Sequence, residues 1–238
     1  MRLFLAGAGG VIGRRLTPLL RAAGHSVVGT TRSADKADAV AKLGAEPVVV
    51  DVFDAEALRL AVLAAKPDAV IHQLTDLAFA PGTPQYQEGL VRNARLRVEG
   101  TRNLASAARA TGVRRMISQS IAFIYAPGEG LRVESDPLSA DPAVATNVNG
   151  VKSLEAETLA LPEGIVLRYG LLYGEGTWSV DKPIRPPSVH VDAAAQACVL
   201  ALSKGKPGIH NIAEDDGYAS SEKAKRDFGF DAGFRLKS

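Results

Sequence analysis

The chain has 238 residues, with 28 Lys and Arg against 26 Asp and Glu, a net charge of +2, and 46% hydrophobic content. That length suits one sizeable α/β domain with at most a small appendage, and the near-neutral charge, without a basic cluster interleaved with aromatics, argues against a nucleic-acid partner. No apolar stretch approaches the roughly 20 residues of a membrane helix, Leu3–Ala6 is too short for a signal sequence, and the lone Cys198 has no internal disulfide partner, so a cytoplasmic chain with a buried, inert thiol is expected.

The first predicted element is a short apolar strand, Arg2–Ala6, which breaks into Gly7-Ala8-Gly9-Gly10-Val11-Ile12-Gly13 and then an amphipathic run, Arg14–Ala23. Glycines at 7, 10 and 13 form a G-x-x-G-x-x-G pattern between strand and helix. The first permits a sharp turn, the second brings backbone close to a pyrophosphate, and the third lets the helix sit tightly on the strand. The helix start then offers unpaired N–H groups and a positive dipole end to phosphates. This segment is therefore read as a dinucleotide site. Pro18 inside the run predicts a kink or an early 3₁₀ turn.

Ser26–Gly29 reads as a second strand, ending in Thr30-Thr31-Arg32-Ser33. An NAD site places an acid near this point to hold the ribose hydroxyls; a guanidinium flanked by hydroxyls suits a 2′-phosphate instead. Thr31 and Arg32 thus predict NADP in preference to NAD, the alternative being that Arg32 is a solvated charge. Ala34–Leu43 reads as a helix, Glu46–Val50 as a buried strand, and Asp54 as the N-cap of a helix over Ala55–Ala65. Asp51, beside Val52 at the strand's end, either accepts from the adenine amino group or forms a turn.

Ala69–Gln73 reads as the fourth strand, and His72 lacks partners at metal-ligand spacing. A loop over Leu74–Pro84 follows, then a long helix from about Gln87 to Thr111, then a fifth strand over Arg115–Ser120. Ile121–Pro142 is loop-like, Ala143–Leu161 helical, Ile165–Tyr169 a sixth strand, and Gly170–Pro187 irregular. Val189–Val191 and Ile209–Ile212 read as short strands around a helix over Ala193–Ser203, and Ser221–Phe228 as a last helix. Strand–helix alternation of this kind predicts an α/β, Rossmann-type, doubly wound parallel sheet with right-handed crossovers. Residues 1–170 form the expected dinucleotide-binding domain, and 171–238 a small, shortened C-terminal substrate lobe packed on it.

Taken together, the glycine loop, Val70-Ile71-His72, Gly100-Thr101-Arg102-Asn103-Leu104, Leu167-Arg168-Tyr169-Gly170, His190-Val191-Asp192 and the closing Glu222–Phe230 resemble the extended short-chain dehydrogenase/reductases, a group that includes the NAD-dependent epimerase/dehydratases. The resemblance runs nearly end to end. It implies cofactor contacts from Gly7, Gly9, Gly10, Val11, Ile12 and Gly13, from Thr31 and Arg32, from Asp51 and Val52, from Gln73 and Leu74, and from Ser118, Lys152 and Tyr169. It also implies that two long helices, about 87–111 and 143–161, could form a homodimer interface.

That family's hydride chemistry uses a tyrosine one helical turn before a lysine, the phenol as general acid/base and the ammonium lowering its pKa. Here Lys152 matches the lysine, but Val148 stands at the tyrosine position and Ile121 at that of the assisting serine. Tyr125, Ser120 and Lys152 become the catalytic candidates, with Tyr173 behind them. Each has a plainer reading: Tyr125 as a packing aromatic, Lys152 as a ribose contact or a solvated helix residue, Ser118 and Ser120 as strand-end caps. The leading expectation is an NAD(P)-binding oxidoreductase or isomerase acting on a small carbonyl, alcohol or sugar-like substrate, with no metal. The alternatives are a non-catalytic NADP-binding sensor and a nucleotide-sugar epimerase or dehydratase with a relocated base.

Overall fold

A computed structural model describes residues 1–77 and 82–236. In chain order the elements are β1 (Arg2–Ala6), α1 (Val11–Ala22), β2 (Ser26–Thr31), α2 (Ala37–Lys42), β3 (Glu46–Val49), α3 (Ala55–Ala65), β4 (Ala69–His72), α4 (Pro84–Arg95), α5 (Thr101–Ala110), β5 (Arg115–Ile121), α6 (Ala145–Leu159), β6 (Glu163–Tyr169), β7 (Leu171–Tyr173), β8 (Ser188–His190), α7 (Val191–Lys204), β9 (Gly208–Ile212) and α8 (Glu222–Phe228). Seven strands form one parallel sheet in the order β3-β2-β1-β4-β5-β6-β9. The order reverses between β1 and β4, and in open α/β sheets ligands bind outside the strand ends at that reversal.

Side-chain alternation along the central strands divides the core in two. Leu3 and Leu5 of β1, Ile71 of β4 and Leu167 of β6 pack with Ile12, Leu16 and Leu20 of α1 and the small residues of α7. Phe4, Val70 and Met116 face the other way, onto Leu58 and Val62 of α3 and Leu104 and Ala108 of α5. Apolar residues four apart on α1 make one stripe, which is why this helix buries one face while Arg14 and Arg21 point outward.

The segment after residue 170 does not stand apart. It contributes β9 to the main sheet, α7 packs beside α1 under it, and only the two-stranded parallel ladder β7–β8 lies outside. Gly170–Pro187 is therefore not wholly irregular, since β7 falls within it. α1 runs as an α-helix through Pro18, so of the two expectations there the 3₁₀ turn is absent. The long helix begins at Pro84, three residues before the expected start, because Thr83 caps it by accepting from the Tyr86 amide. A π-helical turn over Leu96–Gly100 joins α4 to α5. β6 starts at Glu163, since Gly164 lets the strand approach the end of α6: a Cβ there would lie 2.0 Å from the Thr158 carbonyl oxygen.

Candidate active site

The loop between β1 and α1 has the geometry the glycines suggest. Gly7 sits at φ +96°, and a Cβ on it would lie 2.8 Å from the Gln73 carbonyl oxygen, so the loops after β1 and β4 touch at the point of reversal. The Gly10 amide donates to the Gly7 carbonyl at 3.0 Å, and the Gly7 amide to Thr30 Oγ1 at 3.3 Å. Gly13 is locked by contact, since a Cβ would meet the Gly7 oxygen at 2.1 Å. Gly9 differs, having nothing within 4 Å and facing solvent. No side chain caps α1 and no acid stands in its first turn, so the amides of Val11, Ile12 and Gly13 face an anion-ready helix end. These features fit a pyrophosphate.

At the end of β2, Thr31 Oγ1 closes a turn with Ser33, and Arg32 is exposed, with no hydrogen bond or ion pair among the described residues. Asp51 uses one carboxylate oxygen to accept from the Phe53 amide at 3.0 Å, the turn alternative, which leaves its second oxygen for another donor. Val52 is buried, and its carbonyl accepts from Asn103 Nδ2. The guanidinium of Arg95 lies 4.2 Å over the Phe53 ring, covering this end of the cleft.

Beyond β4, Gln73 is buried; its amide donates to the Ala6 carbonyl, and its side chain reaches toward the Tyr169 hydroxyl and Cys198. The Leu74 amide donates to His72 Nδ1, which fixes the proton on Nε2, where the ring meets Thr101 Oγ1 at 3.0 Å. Burial, aided by nearby Arg97, lowers the His72 pKa to about 4. His72 is a neutral brace between β4 and α5. Part of the expected Leu74–Pro84 loop, residues 78–81, lies outside the described residues.

The proton-donor candidates are placed differently from expectation. Arg168 and Glu155 form a buried, two-pronged ion pair at 2.7 and 2.8 Å. Ser120 donates to Glu155 at 2.8 Å, Arg168 donates to the Tyr125 hydroxyl at 2.8 Å, and that hydroxyl donates to Asn211 Oδ1 at 2.6 Å. Tyr125 is 4% exposed, and burial raises its pKa although Arg168 opposes the shift. Ser120 and Tyr125 are thus braces tying β5, α6, β6 and β9 together, with their hydroxyls spent inside the protein. Ser118 is likewise bonded to Thr158 of α6, and the Tyr169 ring is buried in the core on the opposite face of β6, where burial raises its pKa. The Tyr173 hydroxyl donates to Glu214 at 2.5 Å and accepts from Arg235 at 2.9 Å.

Lys152 alone of the catalytic candidates is exposed and without a partner among the described residues. One turn before it, Val148 is 3% exposed and packs in a small apolar cluster with Ile121, Ile124 and Val151. The two positions that the resemblance gives to the tyrosine and its serine are therefore filled together, as one hydrophobic unit. Glu155 and Arg168 were not singled out from sequence, although the signal was there: an arginine inside the apolar run Ile165–Tyr169 requires a buried partner, and Glu155 lies two turns beyond Val148 on the same face of α6.

A parallel sheet that reverses at β1/β4, with a glycine loop leading into an uncapped helix, defines a Rossmann-type dinucleotide-binding protein. The chain belongs to the NAD(P)H-binding family, whose model matches residues 7–153. It is 39% identical over 239 residues to a 3-diazoavenalumate denitrifying reductase from a Streptomyces species, covering 91% of this chain and 77% of the relative. A ketoreductase from Stigmatella aurantiaca is 31% identical over 144 residues, 60% of this chain and 40% of its own. Among solved structures, a short-chain dehydrogenase/reductase superfamily protein from Agrobacterium tumefaciens with bound NAD superposes with TM-score 0.76 at 19% identity, over 98% of this chain and 93% of that one. UDP-glucose 4-epimerase from Bifidobacterium longum, with NAD+ and UDP, gives 0.75 at 17%, over 98% and 94%.

Proposed function

We propose that this protein is an NADPH-preferring reductase that delivers hydride to a small electrophile without a proton from the protein. One observation carries the reading. At the proton-donor position implied by the family stands Val148, buried in one apolar cluster with Ile121, while the hydroxyls of Ser118, Ser120 and Tyr125 are bonded inside the protein and the Tyr169 ring is buried in the core. A simple ketone gains an alkoxide charge as hydride arrives and needs an acid beside it. An acceptor that is already cationic, or that loses a neutral leaving group, does not.

The Streptomyces relative is named as a denitrifying reductase of a diazo compound, which makes an aryldiazonium the favoured acceptor class here. In that reaction a hydride would form the new C–H bond at the ring carbon as the C–N bond breaks with its electron pair leaving in N2, and no protein proton would enter. The bound dinucleotide would supply that hydride. The chain's own part is to hold and orient it: first-turn amides of α1 on the pyrophosphate, Arg32 with Thr31 on a 2′-phosphate, Asp51 and Val52 at the adenine, and Lys152 at the nicotinamide ribose. The free, exposed guanidinium of Arg32, with no acid immediately beside it on β2, supports NADP over NAD.

The test is a panel of acceptors with C4-deuterated NADPH. Stable aryldiazonium salts should consume the cofactor and carry deuterium into the arene, while unactivated ketones and alcohols should not turn over. Efficient reduction of a plain ketone would overturn the proposal. Tight dinucleotide binding with no turnover on any acceptor would favour the sensor instead.

A further inference from the structure

The turn after β7 is braced from within and holds out a large aromatic. The Gly174 amide donates to the Ser179 carbonyl at 2.9 Å, the Thr177 amide to the Gly174 carbonyl at 3.1 Å, and the Thr177 hydroxyl stands 2.8 Å from both carbonyl oxygens. Gly174 and Gly176 lie at φ +112° and +85°, conformations that keep the turn tight. A Cβ on Gly176 would sit 3.8 Å from Val11, the first residue of α1. Two residues on, Trp178 meets Tyr86 in the first turn of α4, edge to face, with ring centroids 5.5 Å apart and planes at 78°.

The turn therefore reaches from the helix that follows β1 to the helix that follows β4, across the crevice where the sheet order reverses. Trp178 nevertheless remains 41% exposed. A rigid turn that leaves so much indole open presents a surface rather than filling a core. The adjacent Glu175 carboxylate, almost fully exposed, pairs with Arg15 at 3.4 Å, and Arg15 also holds the Glu175 carbonyl at 2.7 Å, which ties this turn to α1.

We propose that Trp178 and Tyr86 form an aromatic clamp that receives a planar aromatic acceptor at the mouth of the crevice and so sets substrate specificity. This rests on the hydride-transfer reading above. A flat ring entering beside the turn packs on the exposed part of the indole, whose orientation the edge-to-face contact with Tyr86 holds, and this orients the acceptor toward the dinucleotide.

The experiment uses the full chain, without cofactor and loaded with NADP+, titrated calorimetrically with 4-hydroxycinnamate and with its saturated counterpart 3-cyclohexylpropanoate. Trp178→Leu and Tyr86→Leu should weaken cinnamate binding about tenfold, Trp178→Phe should retain most of it, and NADP+ affinity should not move. In turnover with an aromatic acceptor, KM should rise while kcat stays. The proposal falls if Trp178→Leu binds cinnamate as tightly as the parent, if the saturated acid binds as well as the aromatic one, or if NADP+ affinity drops instead. Lack of hydride transfer to every acceptor would defeat the reductase reading alone, because the binding contrast is measured without turnover.

Discussion

Removing the Tyr125 hydroxyl separates a brace from a catalyst. In Tyr125→Phe, Asn211 Oδ1, fully buried, loses a donor that stood at 2.6 Å, and Arg168 loses an acceptor at 2.8 Å while keeping both bonds to Glu155 and a longer one to the Glu134 carbonyl at 3.3 Å. A hydrogen bond to a charged group contributes about 1.5–3 kcal/mol, and a buried acceptor left unpaired costs about 1–3 kcal/mol. The two overlap, so the loss should be about 2–3 kcal/mol. For a chain of this size that corresponds to a fall in Tm of about 4–12 °C, at roughly 2–4 °C per kcal/mol. Removing a general acid would instead cost about 10²–10⁴ in rate. Thermal melts and NADPH-coupled turnover, measured well below the transition, give both quantities on one preparation. The expected result is a lower Tm with kcat preserved within about twofold. A Tm equal to the parent's, with turnover down a hundredfold, would refute the reasoning and restore Tyr125 as the acid.

Gly13→Ala should destabilise the chain and abolish dinucleotide binding, because the new methyl meets backbone oxygens at 2.1 and 2.6 Å. Gly9→Ala has open space, so its Tm should stay within the small range of surface substitutions, about 0.5 kcal/mol, while fluorescence titration shows weaker NADPH binding; unchanged affinity would mean that the pyrophosphate lies elsewhere. Arg32→Ala should weaken NADPH about 10- to 100-fold, the equivalent of one lost charge-assisted contact, and leave NADH unchanged, so equal losses for both would remove the 2′-phosphate assignment. His72 is kept neutral in the fold, its pKa lowered from 6.5 to about 4. Between those values only the unfolded chain takes up the proton, so this group's contribution is intact above pH 6.5 and is lost as pH falls toward 4, by on the order of 3 kcal/mol at most. Melts from pH 7 to pH 4 should show that loss shrinking in His72→Gln, and parallel pH curves for the two chains would contradict it.

The sheet was legible because its signals are local and repeated. Leu3-Phe4-Leu5 and Val70-Ile71 are apolar on both sides, as strands covered by helices on two faces must be, and glycines or prolines mark most of their ends. The phosphate loop was legible for the same reason, with strand, turn and helix occurring within a dozen residues. What escaped was nonlocal. Arg168, Glu155, Tyr125 and Asn211 come from four separate elements, and only the β5-β6-β9 pairing, with α6 against it, brings them together. Tyr125 looked available because its sequence neighbours form a loop; the partners that consume its hydroxyl lie 43 and 86 residues away.

The same helix bears on the proposal that the site works without a family tyrosine. Residues on α6 four apart share a face, so Val148, Lys152 and Glu155 present three different environments along one stripe: sealed apolar packing, an exposed ammonium, and a buried carboxylate clamped by Arg168. With Val148 buried, the ammonium has no phenol one turn before it to acidify, which on the proposed reading leaves its charge for the cofactor. Val148 and Ile121, buried in one apolar cluster, also leave no polar group there to hold a water in the tyrosine's place. On the proposed reading, a site built this way would discriminate by the acceptor's own chemistry: hydride would be productive only where the product needs no proton at the moment of transfer, so a plain ketone should be turned over at least a hundredfold more slowly than an aryldiazonium in the acceptor panel.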